Sequence, residues 1–417
     1  MLLKTILNRV APQKSFVYGR VTLASEGGRL ALEVEVKPRR NSRAICSGCD
    51  RKRPGYDRLP ARRFEFVPLW QMAVFLVYAM RRVDCPKCGV IVEEVPWSDG
   101  KSQLTTAYRW FLAGWAKRLS WLEVATAFHT SWESVYRSVQ FAVEWGLQRR
   151  TLEGIEALGV DEIQWQRGHR YLTLVYQIDA GARRLLWVGL DRTEESLRGF
   201  FQTLTDDAKR SIRYLCSDMW KPYLNVLAQE VCGAIHVLDR FHIMQAMNKA
   251  IDEVRAEEAR QLKRDGYEPV LKHARWCLLK RPENLTGKQT VKLAELVKYN
   301  LRSVRSYLLR EDFQRFWTYQ YAGWARRFLQ EWCTRTMRSK IEPMKKVARM
   351  LRGHEELILN WFKARGTISA GVAEGLNNKV KLTTRKAYGF RTFDAVKTAL
   401  YHNLGSLPKP KFTPRFC

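Results

Sequence analysis

A chain of 417 residues with 46% hydrophobic content, including 15 Trp, 16 Tyr and 18 Phe, carries ample material for buried cores and is excluded from the disordered class. At roughly 150 residues per domain it makes about three domains. Its 72 Lys and Arg stand against 42 Asp and Glu, a formal charge of +30, so self-repulsion calls for a polyanionic partner, with nucleic acid the first candidate.

The longest apolar run, Leu69 to Met80, is interrupted by Gln71 and is about half the length of a membrane-spanning helix. The N-terminus lacks the apolar stretch of a signal peptide. Nine cysteines, an odd number thinly spread, do not make a disulfide framework. The expectation is a cytoplasmic protein that does not enter a membrane.

Residues 1–100 read as short strands and turns and contain two C-x-x-C pairs, Cys46/Cys49 and Cys85/Cys88, with 35 residues between them. Two residues between cysteines let a tight turn aim both sulfurs at one ion, and two such turns supply a closed thiolate set, the structural Zn²⁺ pattern. A single C-x-x-C can be a redox pair, but two matched pairs in a basic module favour zinc. The segments RRFEFVPLW and MAVFLVYAM between them have the β-rich content of a ribbon hairpin.

From about residue 104 to Gln148 the periodicity becomes helical. Ser120 to Val139 fits two helices joined by a tight turn, with Val124, Ala125 and Phe128 facing inward and Ser131 as N-cap of the second helix. Read as a helix-turn-helix, its second helix presents Trp132, Glu133, Tyr136 and Arg137 to a major groove. The alternative is an ordinary helical hairpin inside a larger core.

Three β-rich segments follow, at 158–165, 170–179 and 183–191, with a hairpin turn at Asp179 to Ala182. Next come an amphipathic helix over Glu194 to Lys209, a strand ending at Asp218, a second helix, and a strand ending at Asp239. Three meandering strands followed by alternating helices and strands is the order of an RNase-H-like α/β fold, in which acids on the first strand and at the end of the fourth can meet. Asp161 and Asp218 occupy those places.

A third acid is expected from a later helix, with Glu374 as the candidate. Asn377, Asn378, Lys381 and Arg385 follow it at helical spacing and are expected on one face beside a phosphate backbone. Acids on neighbouring elements repel unless a cation intervenes. Two Mg²⁺ ions roughly 3.5–4 Å apart would suit phosphoryl transfer. An Asp at a strand end can equally be a cap, and a Glu on a helix a solvated group. Asp239 can be an N-cap or an extra acid near the site, while Asp179 and Asp191 read as turn residues. Residues 240–366 are helical and rich in Lys, Arg and Trp; Arg335 to Arg352 is one basic segment, and residues 375–415 hold nine basic residues against one acid.

In these motifs the chain resembles bacterial insertion-sequence transposases of the DDE class, in particular the IS-L-three family. The matching stretches are the paired C-x-x-C ribbon, the helix-turn-helix, G-V-D-E (Gly159 to Glu162) and S-D-M-W-K-P-Y (Ser217 to Tyr223). D-R-F-H (Asp239 to His242), E-G-x-N-N-x-x-K (Glu374 to Lys381) and Tyr388 to Arg391 continue the match. The resemblance implies a catalytic triad of Asp161, Asp218 and Glu374 holding Mg²⁺ or Mn²⁺, and a mainly helical insertion between the second and third acids. With every acid present, it implies an active enzyme that binds terminal inverted repeats, cleaves DNA and transfers the strand to target DNA. The implied setting is the bacterial cytoplasm at the nucleoid. A homodimer is expected because two DNA ends must be handled together.

The implied order is a zinc ribbon (1–100), a helix-turn-helix (101–152), a first part of the catalytic core (153–239), a helical insertion (240–366) and a closing core helix with a basic tail (367–417). Two other functions fit the same modules: a non-catalytic DNA-binding regulator, and a metal-dependent nuclease that cuts without joining.

Overall fold

The computed structural model describes residues 2–99, 101–364, 370–387 and 389–411. It divides into two compact units, Met1–Arg150 with Thr383–Cys417, and Thr151–Leu382. The expected motif residue Tyr388 and the end of the basic tail, residues 412–417, lie outside the described residues.

The first unit opens with α1 (Leu3–Val10), β1 (Phe16–Glu26), β2 (Arg29–Pro38), the two-residue strands β3 (Ala44–Ile45) and β4 (Lys52–Arg53), β5 (Gly55–Leu69), β6 (Met72–Cys85) and β7 (Gly89–Val92). Four strands lie in the order β1-β2-β6-β5, with β7 beside β6. The sequence reading of short strands is corrected here: β5 has 15 residues and β6 has 14. The apolar run in β6 hides a period of two, since Val74, Leu76, Tyr78 and Met80 are buried while the residues between them face outward and are only partly covered. Leu69 pairs with Met72 across a two-residue loop in which Trp70 (φ 49°) and Gln71 (φ 65°) both take the left-handed region, the geometry that matches strand twist. Phe16, Tyr78 and Trp97 pack edge to face at 4.8–5.4 Å between centroids. Among them Glu93, 2% exposed, accepts from the Tyr78 hydroxyl at 2.6 Å and pairs with Arg81 at 2.7 Å.

The same unit continues with α2 (Thr106–Trp115), α3 (Trp121–Ala127) and α4 (Trp132–Arg149), and it includes the C-terminal helix α16 (Phe393–Leu404). Ser120 and Glu123 form a reciprocal capping box at the start of α3, and Ser131 accepts from the Ser134 amide at 3.0 Å at the start of α4. Val124, Ala125, Val135 and Val139 are buried, as their spacing predicts. The Arg150 guanidinium lies 5.6 Å from the ring centroid of Tyr401 in α16.

In the second unit, β8 (Ala157–Gln166), β9 (Arg170–Ile178) and β10 (Arg183–Leu190) form an antiparallel meander. Two helices, α5 (Glu194–Phe201) and α6 (Asp206–Ser211), replace the single helix expected over 194–209. The break has a local cause: Thr205 caps the Ala208 amide at 3.2 Å, and Asp206 and Asp207 favour a fresh N-terminus. Then β11 (Tyr214–Ser217) runs parallel to β8, and after α7 (Lys221–Glu230), β12 (Ile235–Leu238) runs parallel to β11. The sheet order is β10-β9-β8-β11-β12. Leu197, Phe200, Tyr223 and Val226 from α5 and α7 pack on Leu158, Val160 and Val175 of the sheet.

The region after β12 is helical: α8 (Arg240–Arg264), α9 (Arg275–Leu279), α10 (Gly287–Val297), α11 (Arg302–Gln314), α12 (Ala322–Met337), α13 (Glu342–Gly353) and α14 (Glu355–Lys363). Phe313, Phe316 and Trp332 centre its core. Glu258, 7% exposed, accepts from the amides of Arg302 and Ser303 at 2.6 and 2.9 Å and so caps α11. From α14, Asn360 donates to the His236 carbonyl at 2.8 Å and covers the outer edge of β12. The last helix, α15 (Ala370–Lys386), buries Ala373, Leu376 and Val380. Among the described residues no helix is long and apolar enough to cross a membrane.

Candidate active site

Alternation along β8 decides which carboxylate faces where. Leu158 and Val160 join the α5/α7 core, so Gly159 and Asp161 face the opposite side, where α15 packs. A Cβ on Gly159 would lie 3.1 Å from Ile178 Cγ2 and 3.7 Å from Ala373 Cβ, so glycine permits the close approach of α15. Asn377 of α15 donates a short hydrogen bond to Asp161 Oδ2 and accepts from the Tyr176 hydroxyl at 2.7 Å. The other Asp161 oxygen accepts from the Glu162 amide at 2.8 Å and lies 3.8 Å from His242 Nε2.

Glu162, next along the strand, points to the other face. There Arg192 lies 3.1 Å from Glu162 Oε1 and 3.0 Å from Asp218 Oδ2, with its guanidinium 4.3 Å from the ring centroid of Trp220. Asp218 follows the last residue of β11, and its other oxygen accepts from the Trp220 amide at 3.1 Å. Asp239 caps α8 by accepting from the Phe241 amide at 2.7 Å, and its second oxygen lies 3.9 Å from His242 Nε2.

Burial raises the Asp161 carboxyl above its ordinary range, and the charge of Asp218 adds to this while His242 opposes it. Burial and then Asp218 push Glu162 to about 7, with Arg192 working against them. Asp239 is raised by burial, and the charges of Asp161 and Glu374 contribute. Glu374 itself is exposed on α15. Glu162 Oε2 is buried and finds no hydrogen-bond partner among the described residues. Mutually repelling oxygen donors and an orphaned carboxylate oxygen are a set that a hard divalent cation fits. Asp161, Asp218 and Glu374 are not themselves drawn into a tight cluster: among the described residues the one such group has its ligand atoms all within 4.8 Å of one another, and it is Cys46, Cys49, Cys85 and Cys88.

Those cysteines lie in the first unit, one pair on the β3–β4 turn and the other on the β6–β7 turn. Gly48 in the first turn is needed because a Cβ there would lie 3.0 Å from Cys88 Sγ. Against desolvation, the backbone amides of Lys87 and Cys88 draw the Cys85 thiol down to about 6, whereas desolvation and the facing sulfurs push Cys88 up to about 12. Four such sulfurs do not all ionise together without a cation among them, and a tetrahedral thiolate ion such as Zn²⁺ fits this donor set.

A family profile described as a transposase, of the DDE ISL3 type, matches residues 158–400, more than half of the chain. The chain belongs to the IS-L-three transposase family. It is 29% identical over 395 residues to the transposase for insertion sequence element IS1001 of Bordetella parapertussis, covering 94% of this chain and 96% of that one. It is also 29% identical over 399 residues to the transposase for insertion sequence element IS1557 of Mycobacterium tuberculosis, covering 89% of this chain and 88% of that one.

In this IS-L-three member the expected DNA-facing residues divide. Trp132 is 57% exposed, and Arg137 is exposed and paired with Glu133 at 2.7 Å. Tyr136 is half-buried, its ring centroid 5.0 Å from that of Trp121 at a tilt of 39°, and it is hydrogen-bonded to Thr398. On α15, Asn378, Lys381 and Arg385 are exposed with Glu374, but Asn377 is buried and turned to Asp161. The single face expected for all five is therefore narrower. At 3.6 residues per turn, position i+3 falls about 60° to one side of Glu374, while i+4 falls about 40° to the other.

Sequence reasoning missed Arg192 and His242 as neighbours of the acids. His242 carried a signal, as it closes the D-R-F-H match; Arg192 carried none, because its position depends on which strands pair.

Proposed function

We propose that this chain is a DNA transposase that binds the terminal inverted repeats of an insertion sequence and catalyses Mg²⁺-dependent cleavage and strand transfer with the triad Asp161, Asp218 and Glu374. What carries the reading is that acids from distant segments bear on one another without closing into a tight cluster: Asp218, after the parallel β11, acts through its charge on Asp161 of the adjacent β8, and Glu374 of α15 acts on Asp239 beside His242. The sheet order supports reading this unit as an RNase-H-like core interrupted by a helical insertion. The four cysteines and the capped pair α3 and α4 support a zinc ribbon and a helix-turn-helix for end recognition.

Divalent ions held by the triad would supply Lewis acidity to the attacking and leaving oxygens of the phosphodiester. The chain's own part is position and charge. Asn377 fixes the orientation of Asp161, the Trp220 amide fixes that of Asp218, and Arg192 balances the charge of Asp218 and Glu162. His242 lies within 4 Å of both Asp161 and Asp239 and faces the two carboxylates. Exposed Trp132 and Arg137 suit a DNA groove, and Asn378, Lys381 and Arg385 suit phosphates. Two DNA ends handled together fit a homodimer at the nucleoid in the bacterial cytoplasm.

The test is incubation of the purified chain with a labelled duplex of the element end and Mg²⁺, resolving nicked, cut and joined products. Joined products are expected. Cutting without joining would assign a nuclease, and sequence-specific binding without cutting a regulator.

A further inference from the structure

A groove of about 1320 Å³ opens from the acids into the helical region, with Asp218, Trp220 and His242 at one end and α8 and α9 along its length. It is larger than the roughly 300–1,000 Å³ clefts that enclose a single small molecule. Its chemistry differs from that of a surface that grips duplex phosphates. The cations Arg192, Lys249 and Arg275 are matched in number by Asp218, Asp252 and Glu253, and Asp252 is paired with Arg255 at 2.7 Å and with Arg275 at 3.0 Å. A groove balanced in charge grips a phosphate backbone weakly, duplex or single strand alike, so what it holds must be held by its side-chain rings and amides more than by its field.

It offers rings and amides instead. Trp276 lines it on α9 and is 53% exposed, with the Arg275 guanidinium 5.2 Å from its ring centroid on one side. It is also rigidly mounted. Its neighbours Cys277 and Leu278 are buried, and Arg310, 2% exposed, donates to the carbonyls of Leu279 and Lys280 at 3.0 and 3.2 Å, fixing the end of α9. The amide side chains of Gln245 and Asn248 lie along α8 in the same groove, and Tyr171 lines it too. Preorganised aromatic faces beside amides are what unpaired nucleobases bind, and such stacking is tolerant of sequence.

We propose that this groove is a binding site for unpaired nucleotides of the DNA strand that leads away from the cleaved phosphodiester, with one base stacked on Trp276. The inference rests on the reading of the acids as a DNA-cleaving centre, because the groove begins at Asp218. The partner is single-stranded DNA continuous with a duplex, so the site would favour an end that is frayed or carries an overhang.

The experiment compares the full chain with its Trp276→Ala and Trp276→Phe variants, in the Asp161→Ala background so that no substrate is cut. Fluorescence anisotropy measures binding to a labelled element-end duplex that is blunt, and to the same duplex with a short unpaired thymidine extension. The unsubstituted groove is expected to prefer the extended duplex. Trp276→Ala should lose roughly 5- to 160-fold in affinity for it, the worth of one stacked base, with blunt-end affinity unchanged, and Trp276→Phe should keep most of the preference. A chain that binds and, with Asp161 restored, cuts the end but ignores the extension would overturn this proposal alone. An extension preference untouched by Trp276→Ala would do the same. A chain that binds no DNA in either form would overturn the transposase reading and this site with it.

Discussion

Asn377 and Asp161, 216 residues apart in the chain, are joined by a buried hydrogen bond from the amide nitrogen to the carboxylate, and the Asn377 carbonyl is held in turn by the Tyr176 hydroxyl. The chain's longest sequence separation near the acids is thus closed by a neutral side chain. Replacing it removes the donor from a buried carboxylate and the acceptor from a buried phenol. Asn377→Ala should cost on the order of 1–3 kcal/mol in urea denaturation, and Tyr176→Phe about 0.5–1.5 kcal/mol. Equal stability of Asn377→Ala and the parent would show that this network holds nothing in place.

Asp161→Ala and Glu374→Ala should each abolish strand cleavage while binding to the element end persists, read by gel electrophoresis of labelled DNA. Asp239 needs a subtler change. Asparagine keeps the side-chain oxygen that accepts from the Phe241 amide, so Asp239→Asn should leave the cap and the melting temperature intact. A large fall in cleavage with unchanged melting would make Asp239 a member of the site, and full cleavage would leave it a cap.

These residues also show what was legible in the sequence. The cysteine pairs and the Ser131 cap depend on spacing within one turn, so local reasoning reaches them. Asp161 was legible as an acid among apolar neighbours on a strand, and Asp218 as one closing a strand segment. The place of Arg192 was not: Asp191, at φ 61°, bends the chain after β10, and only the pairing of β10 with β9, β9 with β8 and β8 with β11 brings the guanidinium to Glu162 and Asp218. Asn377 reads as one of the phosphate-facing residues beside Glu374, and only the packing of α15 against Gly159 turns it to Asp161. The long strands of the first unit were obscured because β6 is apolar on both faces, which erases the alternation that marks strand length.

Zinc dependence is tested in the first unit. Cys46→Ser should lower bound zinc, measured by atomic absorption, and weaken end binding. Gly48→Ala should do so in part, because the new methyl group would press on Cys88 Sγ. Zinc content unchanged in Cys46→Ser would refute the ligand set.

His236 supplies a pH dependence. It is 8% exposed, its Nε2 lies 2.8 Å from Ser217 Oγ, and burial lowers its pKa from about 6.5 to about 4. Because the folded state favours neutral imidazole, the contribution is complete above pH 6.5 and is lost as pH falls from there towards 4, a loss of a few kcal/mol at most. His236→Gln, which keeps a polar partner for Ser217 but does not titrate, should flatten the fall in melting temperature between pH 6.5 and 4. An identical acid profile would place the acid sensitivity elsewhere.

The first unit draws its pieces from two stretches that flank the second unit in the sequence. A Cβ on Gly146, in α4, would come within 2.7 Å of Leu407 Cβ, so the bare glycine backbone is what makes room for a segment that follows the whole acid-bearing unit in the chain. The ribosome therefore finishes the acid-bearing unit before the cysteine-bearing one can close. A premature stop between Arg150 and α16 would release a polypeptide whose first 150 residues, though all present, lack the segment that seals them.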